Sequence, residues 1–151
     1  MQKESLFREK LKILYEELRI VQNTIDKYDG IMFQIRGWEV SVWSALMIIA
    51  LEFNKIAIIY LAILVPLIFW SFDGTYKTYR VDYTERRSEI TGFLNSQKFE
   101  DSFKRQKLGF KTPVLPTHEQ KDMFKHMFKP HIFLLHLALS LLAIIALVIL
   151  I

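Results

Sequence analysis

IAIIYLAILVPLIFWSF, residues 56–72, carries no charged side chain in seventeen positions. A helix needs about 17–25 largely apolar residues to cross the hydrocarbon core of a bilayer, so this stretch reads as a membrane span. The run IFLLHLALSLLAIIALVILI, residues 132–151, has no charge in twenty positions and reads the same way. A third run, WEVSVWSALMIIAL at 38–51, is bracketed by Glu39 and Glu52. It reaches crossing length when Glu39 sits at headgroup depth and the helix continues to Phe53. The expectation is an all-α integral membrane protein with three transmembrane helices and a cytoplasmic helical bundle. Its parts are a heptad-patterned helix at 1–36, a transmembrane hairpin at 38–72, a cytoplasmic segment at 73–130 with a loop and an interfacial helix, and a third span at 131–151.

The link EFNK at 52–55 has room only to turn the chain back, which makes the first two spans an antiparallel hairpin. Seven Lys/Arg precede Gly37 and twelve lie between Asp73 and Pro130, against one in the link and none after Ile132. By the positive-inside rule the N-terminus and the long middle segment are cytoplasmic, and the protein is expected as a multi-pass protein of the bacterial cytoplasmic membrane. No charged leader followed by a short apolar stretch and a small-residue cleavage site opens the chain, so its own spans are expected to hold it in place. With no cysteine there is no disulfide framework, thiolate nucleophile or sulfur metal site. The net charge of +4 suits basic residues set against anionic lipid, and with no recognition motif in the chain direct nucleic-acid binding is not expected.

The most regular pattern lies near the N-terminus. Phe7, Leu11, Leu14, Leu18, Val21, Ile25 and Tyr28, continued by Met32 and Ile35, alternate spacings of four and three, a heptad seam. A helix over about residues 4–29 follows, with Gly30 or Gly37 placed to end it or bend it into the first span. The seam serves either as a packing face for a second cytoplasmic helix of the same chain or as a contact between copies in a ring. The second span continues as a helix past residue 72, supported by the i, i+4 pairs Asp73 with Lys77 and Asp82 with Arg86. Tyr79 and Tyr83 are placed to pack on the N-terminal helix.

Residues 95–116, broken by Gly109, Pro113 and Pro116, read as a loop. Thr117 and Gln120 have the spacing of a capping box, opening a short basic helix with Met123, Phe124, Met127 and Phe128 on one side, suited to lie in the membrane interface. Pro130 then bends the chain or opens the third span. Trp38, Trp70, Tyr76, Phe124 and Phe128 are the membrane-interface anchors of this scheme.

Polar residues inside apolar runs carry the functional reading, because ionisable and hydroxyl side chains rarely face lipid. In the third span His136, Ser140 and Ala143 form an i, i+4, i+7 stripe. In the first, Gly37, Ser41, Ser44 and Ile48 form another. Glu39, Ser41, Ser44, His136 and Ser140 are therefore candidates for interhelix hydrogen bonds or for lining a water-filled path, and a ring of Glu39 or Glu52 would favour cations. Pro66 removes one backbone hydrogen bond from the second span. His118, Asp122 and His126 share a helix face with metal-capable side chains, but no dedicated metal motif accompanies them, and neither metal nor cofactor is expected. No Ser/His/Asp pattern or Gly-rich phosphate loop is present, so an enzyme is not expected.

At FWSFDGTYKTYR, residues 69–80, an aromatic span end runs into an Asp, then a Tyr and basic residues. This junction, with the order of N-terminal helix, tight hairpin and late third hydrophobic segment, resembles the RipA-like small octameric bacterial membrane proteins. Their relatives include the membrane accessory protein of type VI-B CRISPR systems. Gly74 and Thr75 stand where the family's small residue and aromatic are expected, and no functional residue is carried across. The resemblance implies a homo-oligomer of eight protomers around a central opening, acting as a pore that perturbs membrane potential in antiphage defence. Its partners would be copies of itself, membrane lipids and a cytoplasmic defence effector. Set beside it is a non-conducting membrane scaffold or sensor that couples a cytoplasmic signal to a partner.

Overall fold

The computed structural model describes residues 2–114 and 121–150, and among these residues the chain is helical with no strand. Five helices follow one another: α1 (Gln2–Glu52), α2 (Ile56–Leu94), α3 (Gln97–Arg105), α4 (Lys121–Met127) and α5 (Pro130–Leu150). The capping-box residues Thr117 and Gln120, and His118, lie outside the described residues.

α1 runs unbroken through Gly30 and Gly37, and neither glycine adopts a positive φ. The expected break there does not occur. A helix-interior glycine costs about 1 kcal/mol relative to alanine, too little to stop a helix whose flanking residues are good formers and whose seam is buried on both sides. The turn comes instead at Asn54, in the left-handed region at φ 53°, where the Lys55 amide bonds to the Ala50 carbonyl at 2.9 Å. α2 likewise continues through Pro66, and α5 takes Pro130 as its first residue, where a missing N–H leaves no bond unmade.

The chain forms two compact units, to both of which α1 and α2 contribute. The first comprises Met1–Lys27 with Tyr79–His118. Here the heptad seam is used within the chain: Phe7 and Leu14 pack with Ile90, Phe93 and Leu108, and Leu11 and Leu18 border that core. Val21 and Ile25 continue the buried face.

The stretch expected as a loop contains α3. On it Phe99 and Phe103 are one helical turn apart. Phe99 meets Phe93 at 5.6 Å, and Phe103 meets Phe7 at 5.2 Å between ring centroids. Ser96 precedes the helix in extended conformation and Gln106 ends it at φ 48°.

Arg86 does not bind Asp82 as the sequence spacing proposed. It donates to Glu17 at 2.8 Å, to Glu89 at 2.8 Å and to the Lys111 carbonyl at 2.8 Å, and its guanidinium lies 4.9 Å from the Phe110 ring. Glu17 also accepts from the Thr112 hydroxyl and from the Val114 amide. A buried carboxylate from α1 and a buried guanidinium from α2 thereby hold residues 110–114 in place, and the guanidinium is turned to the buried Glu17 of the neighbouring helix rather than along its own helix to Asp82. Burial acts to raise the Glu17 carboxyl, but the hydrogen bonds from Arg86, Thr112 and Val114 outweigh it and hold the group below its ordinary value of 4.5.

The second unit comprises Tyr28–Thr78 with Glu119–Ile151. Met47 and Ala50 of α1, Ile59 and Ala62 of α2 and Ala143 of α5 form its apolar core, so three helices meet there, with alanines permitting close approach. α4 sits against α2. The Trp70 indole N–H donates to the Met127 carbonyl at 2.9 Å, and the Met127 side chain covers Gly74 so closely that a Cβ on Gly74 would fall 2.1 Å from it. Tyr76 meets Tyr28 at 6.2 Å. Two helices, α2 and α5, are long and apolar enough to cross a membrane. Only 22% of either apolar window is buried, whereas the core helix of a soluble protein is mostly covered. The run in α1, interrupted by Glu39 and Glu52, does not meet the same measure.

Leu14→Ala empties a fully buried position and is expected to cost about 2–5 kcal/mol, read as a lowered thermal midpoint in mild detergent. Glu17→Gln tests the clamp through pH. A carboxylate held low in the native state stabilises above its unfolded value and loses that contribution as pH falls through the native one. The gap in thermal midpoint between wild type and Glu17→Gln should therefore be constant above the ordinary 4.5 and close on further acidification.

Candidate functional site

α1, α2 and α5 each bring an ionisable side chain to one place in the second unit. On α1, Arg36, Glu39 and Trp43 succeed one another at three and four residues, on one helix face. On α2, Asp73 directly follows the uncharged run. On α5, His136 lies on the buried face with Ile132, Leu139 and Ala143.

His136 Nδ1 and Glu39 Oε1 are 2.8 Å apart. His136 Nε2 is 3.5 Å from Asp73 Oδ2, an ion-pair distance rather than a hydrogen bond. Arg36 closes the series, with Nε donating to Asp73 Oδ2 at 2.8 Å and a second guanidinium nitrogen 2.7 Å from the same oxygen. Glu39 and Asp73 are wholly buried, His136 is 2% exposed, and the Arg36 side chain, 32% exposed, is the member that reaches the surface. Glu39 Oε2, Asp73 Oδ1, His136 Nε2 and the Trp43 indole nitrogen have no hydrogen-bond partner.

Burial explains the arrangement. An isolated ionised carboxylate taken into a low-dielectric interior costs many kcal/mol unless paired, so Glu39 and Asp73 turn toward His136 and Arg36 rather than outward. The inward face of α1 is consequently the one with Glu39, Trp43, Met47 and Ala50, not the small-residue stripe. Ser41 is exposed and donates to the Gly37 carbonyl at 2.9 Å, Ile48 is exposed, and Ser44 is half-buried. Ser140, one turn beyond His136, is half-buried.

The expected Asp73–Lys77 pair is replaced by Asp73–Arg36, because the α1 guanidinium reaches a buried oxygen in bidentate fashion. Of the interface anchors, Trp38, Phe124 and Phe128 are exposed, while Trp70 and Tyr76 are half-buried with the partners given above. His126 is buried, and among the described residues no group of three or more His, Cys, Asp or Glu is arranged to hold a metal ion.

Arg36 and Asp73 escaped the sequence reading, although a signal was present. They stand 18 and 19 residues on either side of Asn54, the turn of the hairpin. Residues equidistant from an antiparallel turn share a level, so an acid and a base there are natural partners. The cluster can do two things chemically: hold three helices together by charge, and exchange protons. It contains no nucleophile beside a base.

Asp73→Ala removes the carboxylate set between Arg36 and His136 and is expected to cost about 3–5 kcal/mol of stability, because breaking a buried pair strands its partner. Ser41→Ala and Ser140→Ala should each stay within about 0.5 kcal/mol of wild type. Thermal unfolding in one detergent under one buffer compares the three.

No family model, curated protein or solved structure matches the chain.

Proposed function

We propose that this chain is a three-span membrane protein that acts as a non-conducting scaffold or sensor, with residues 1–36 and 73–130 on the cytoplasmic side. One observation carries the reading: Glu39 and His136, the side chains best suited to line a polar path, are buried against each other within a single chain. A pore between copies needs such groups to face a shared axis. Support for α1 as the third span comes from its outward apolar residues, among them Val40, Val42, Ile48, Ile49 and Leu51, which continue the lipid-compatible surface of α2 and α5. The coupling element is the chain itself, since α1 and α2 carry both the clamp of Glu17 with Arg86 and the cluster of Arg36, Glu39 and Asp73. A surface for a cytoplasmic partner is offered by a groove of about 520 Å³ lined by Ile13, Ile20, Val21, Tyr83, Pro113 and Val114.

A second reading, the homo-oligomeric and octameric pore of antiphage defence that the family resemblance implies, is favoured by one feature. Leu6, Ile13 and Ile20 are exposed at seven-residue spacing, a stripe of the kind that meets a second helix. In that assembly a conducting path would be lined by outward groups such as Ser41 rather than by Glu39 and His136.

Mass measurement in mild detergent together with dye leakage from liposomes at matched protein concentration separates the two. The scaffold reading expects sealed vesicles, and expects Leu6→Glu or Ile20→Glu to alter any self-association without a change in leakage. A single high-order species that empties vesicles overturns it in favour of the pore.

A further inference from the structure

Both ring nitrogens of His136 face carboxylate oxygens, Nδ1 toward Glu39 Oε1 at 2.8 Å and Nε2 toward Asp73 Oδ2 at 3.5 Å. A neutral imidazole has one N–H and one lone pair, so in either tautomer a lone pair confronts a carboxylate. An extra proton, on the ring or on one of the two carboxyls, removes that repulsion. Counting charge leads to the same place. Arg36 contributes one positive charge and the two carboxylates two negative ones, which leaves a buried deficit of one that a single proton cancels. With that proton on the ring, the series Arg36, Asp73, His136, Glu39 alternates in sign across three helices.

We propose that Glu39, Asp73 and His136 form one proton-binding site, whose ligand is a single exchangeable proton shared among the three side chains. With the proton bound, the ring donates its Nδ1–H to Glu39 along the 2.8 Å line. The proton released is the one on Nε2, which leaves toward solvent past Asp73 and the partly exposed Arg36 while Nδ1–H stays on Glu39. The groups that face it are Arg36 and Glu39 from α1, Asp73 from α2 and, on α5, His136 itself. His131, on the same helix, feels Lys77, Arg36 and Lys129 and, in the opposite sense, Asp73. Release of the proton leaves two carboxylates against one guanidinium across a neutral ring. The excess charge must then be rehydrated, and the contact of α5 with α1 and α2 loosens at this level. A proton bound in the packed state and given up on unfolding makes stability fall as pH rises past its release. The site rests on burial within the second unit and does not depend on which function is correct.

The test is ¹⁵N-histidine spectroscopy of the full-length protein in mild detergent over roughly pH 5 to 9, the range in which imidazoles titrate. Single His→Gln substitutions assign the resonances. In wild type at neutral pH both His136 nitrogens are expected to be protonated with Glu39 ionised, and Glu39→Gln is expected to move the His136 titration midpoint by about one pH unit, a tenfold change in proton affinity. His131 should stay where it was. The thermal midpoint of wild type should fall with rising pH across the same range, and the fall should be much reduced in Glu39→Gln, which needs no extra proton for neutrality. A neutral His136 tautomer beside two ionised carboxylates, or a midpoint unmoved by both Glu39→Gln and Asp73→Asn, overturns the site. The wild-type spectrum decides even where a variant does not fold.

Discussion

A carboxylate cannot be left alone in a low-dielectric interior, and the second unit buries Glu39 and Asp73. Both are fully buried, on different helices, and each is answered by a nitrogen base from another: the His136 imidazole of α5 for Glu39, and the Arg36 guanidinium of α1 for Asp73. Apolar packing among Met47, Ala50, Ile59, Ala62 and Ala143 brings the helices close but is tolerant of sliding and rotation, since one aliphatic contact resembles the next. Directional ion pairs are not tolerant in that way. They fix the rotation of α1 that turns Glu39 inward and leaves Ser41 outside, and they fix which level of α5 lies beside the hairpin. Whether such pairs add net stability over an apolar substitute is a separate matter, and specificity of register is the better-supported role for buried charge.

The first unit solves a related problem with a different balance. Its core is aromatic and aliphatic, with Phe7, Phe93, Phe99, Phe103 and Phe110 in successive ring contacts. One buried ion pair, Glu17 with Arg86, is set at its edge and spends its remaining hydrogen-bonding capacity on the backbone and side chains of residues 111–114. The same chemical device, a buried carboxylate matched to a guanidinium from a neighbouring helix, thus fastens a loop in one unit and a helix in the other.

Much of this was legible in the residues. Apolar runs without charge located α5 and the first part of α2, and the alternation of fours and threes from Phe7 to Ile35 located the buried face of α1. What the sequence hid is physical in origin. Glycine's penalty within a helix is small, so Gly30 and Gly37 marked no boundary. α3 is nine residues long and rests on only two phenylalanines, too few to show a period. Local spacing favoured Asp73 with Lys77 and Asp82 with Arg86, whereas the true partners come from 37 and 69 residues away, where burial makes the pairing stronger than any exposed i, i+4 contact. His136 and Glu39 were visible as anomalies within apolar runs, but that they answer each other required the packing of α5 on the hairpin.

The most direct measurement is a double-mutant cycle on Glu39→Gln and His136→Gln, with stability followed by thermal or denaturant unfolding in a single detergent. Residues bound to each other in a buried pair should show a coupling of about 1–3 kcal/mol, so that the double variant is less impaired than the two single effects added together. Additivity within about 0.5 kcal/mol would mean that the two side chains do not meet, and the ionic cluster would no longer explain how α5 is held to the hairpin.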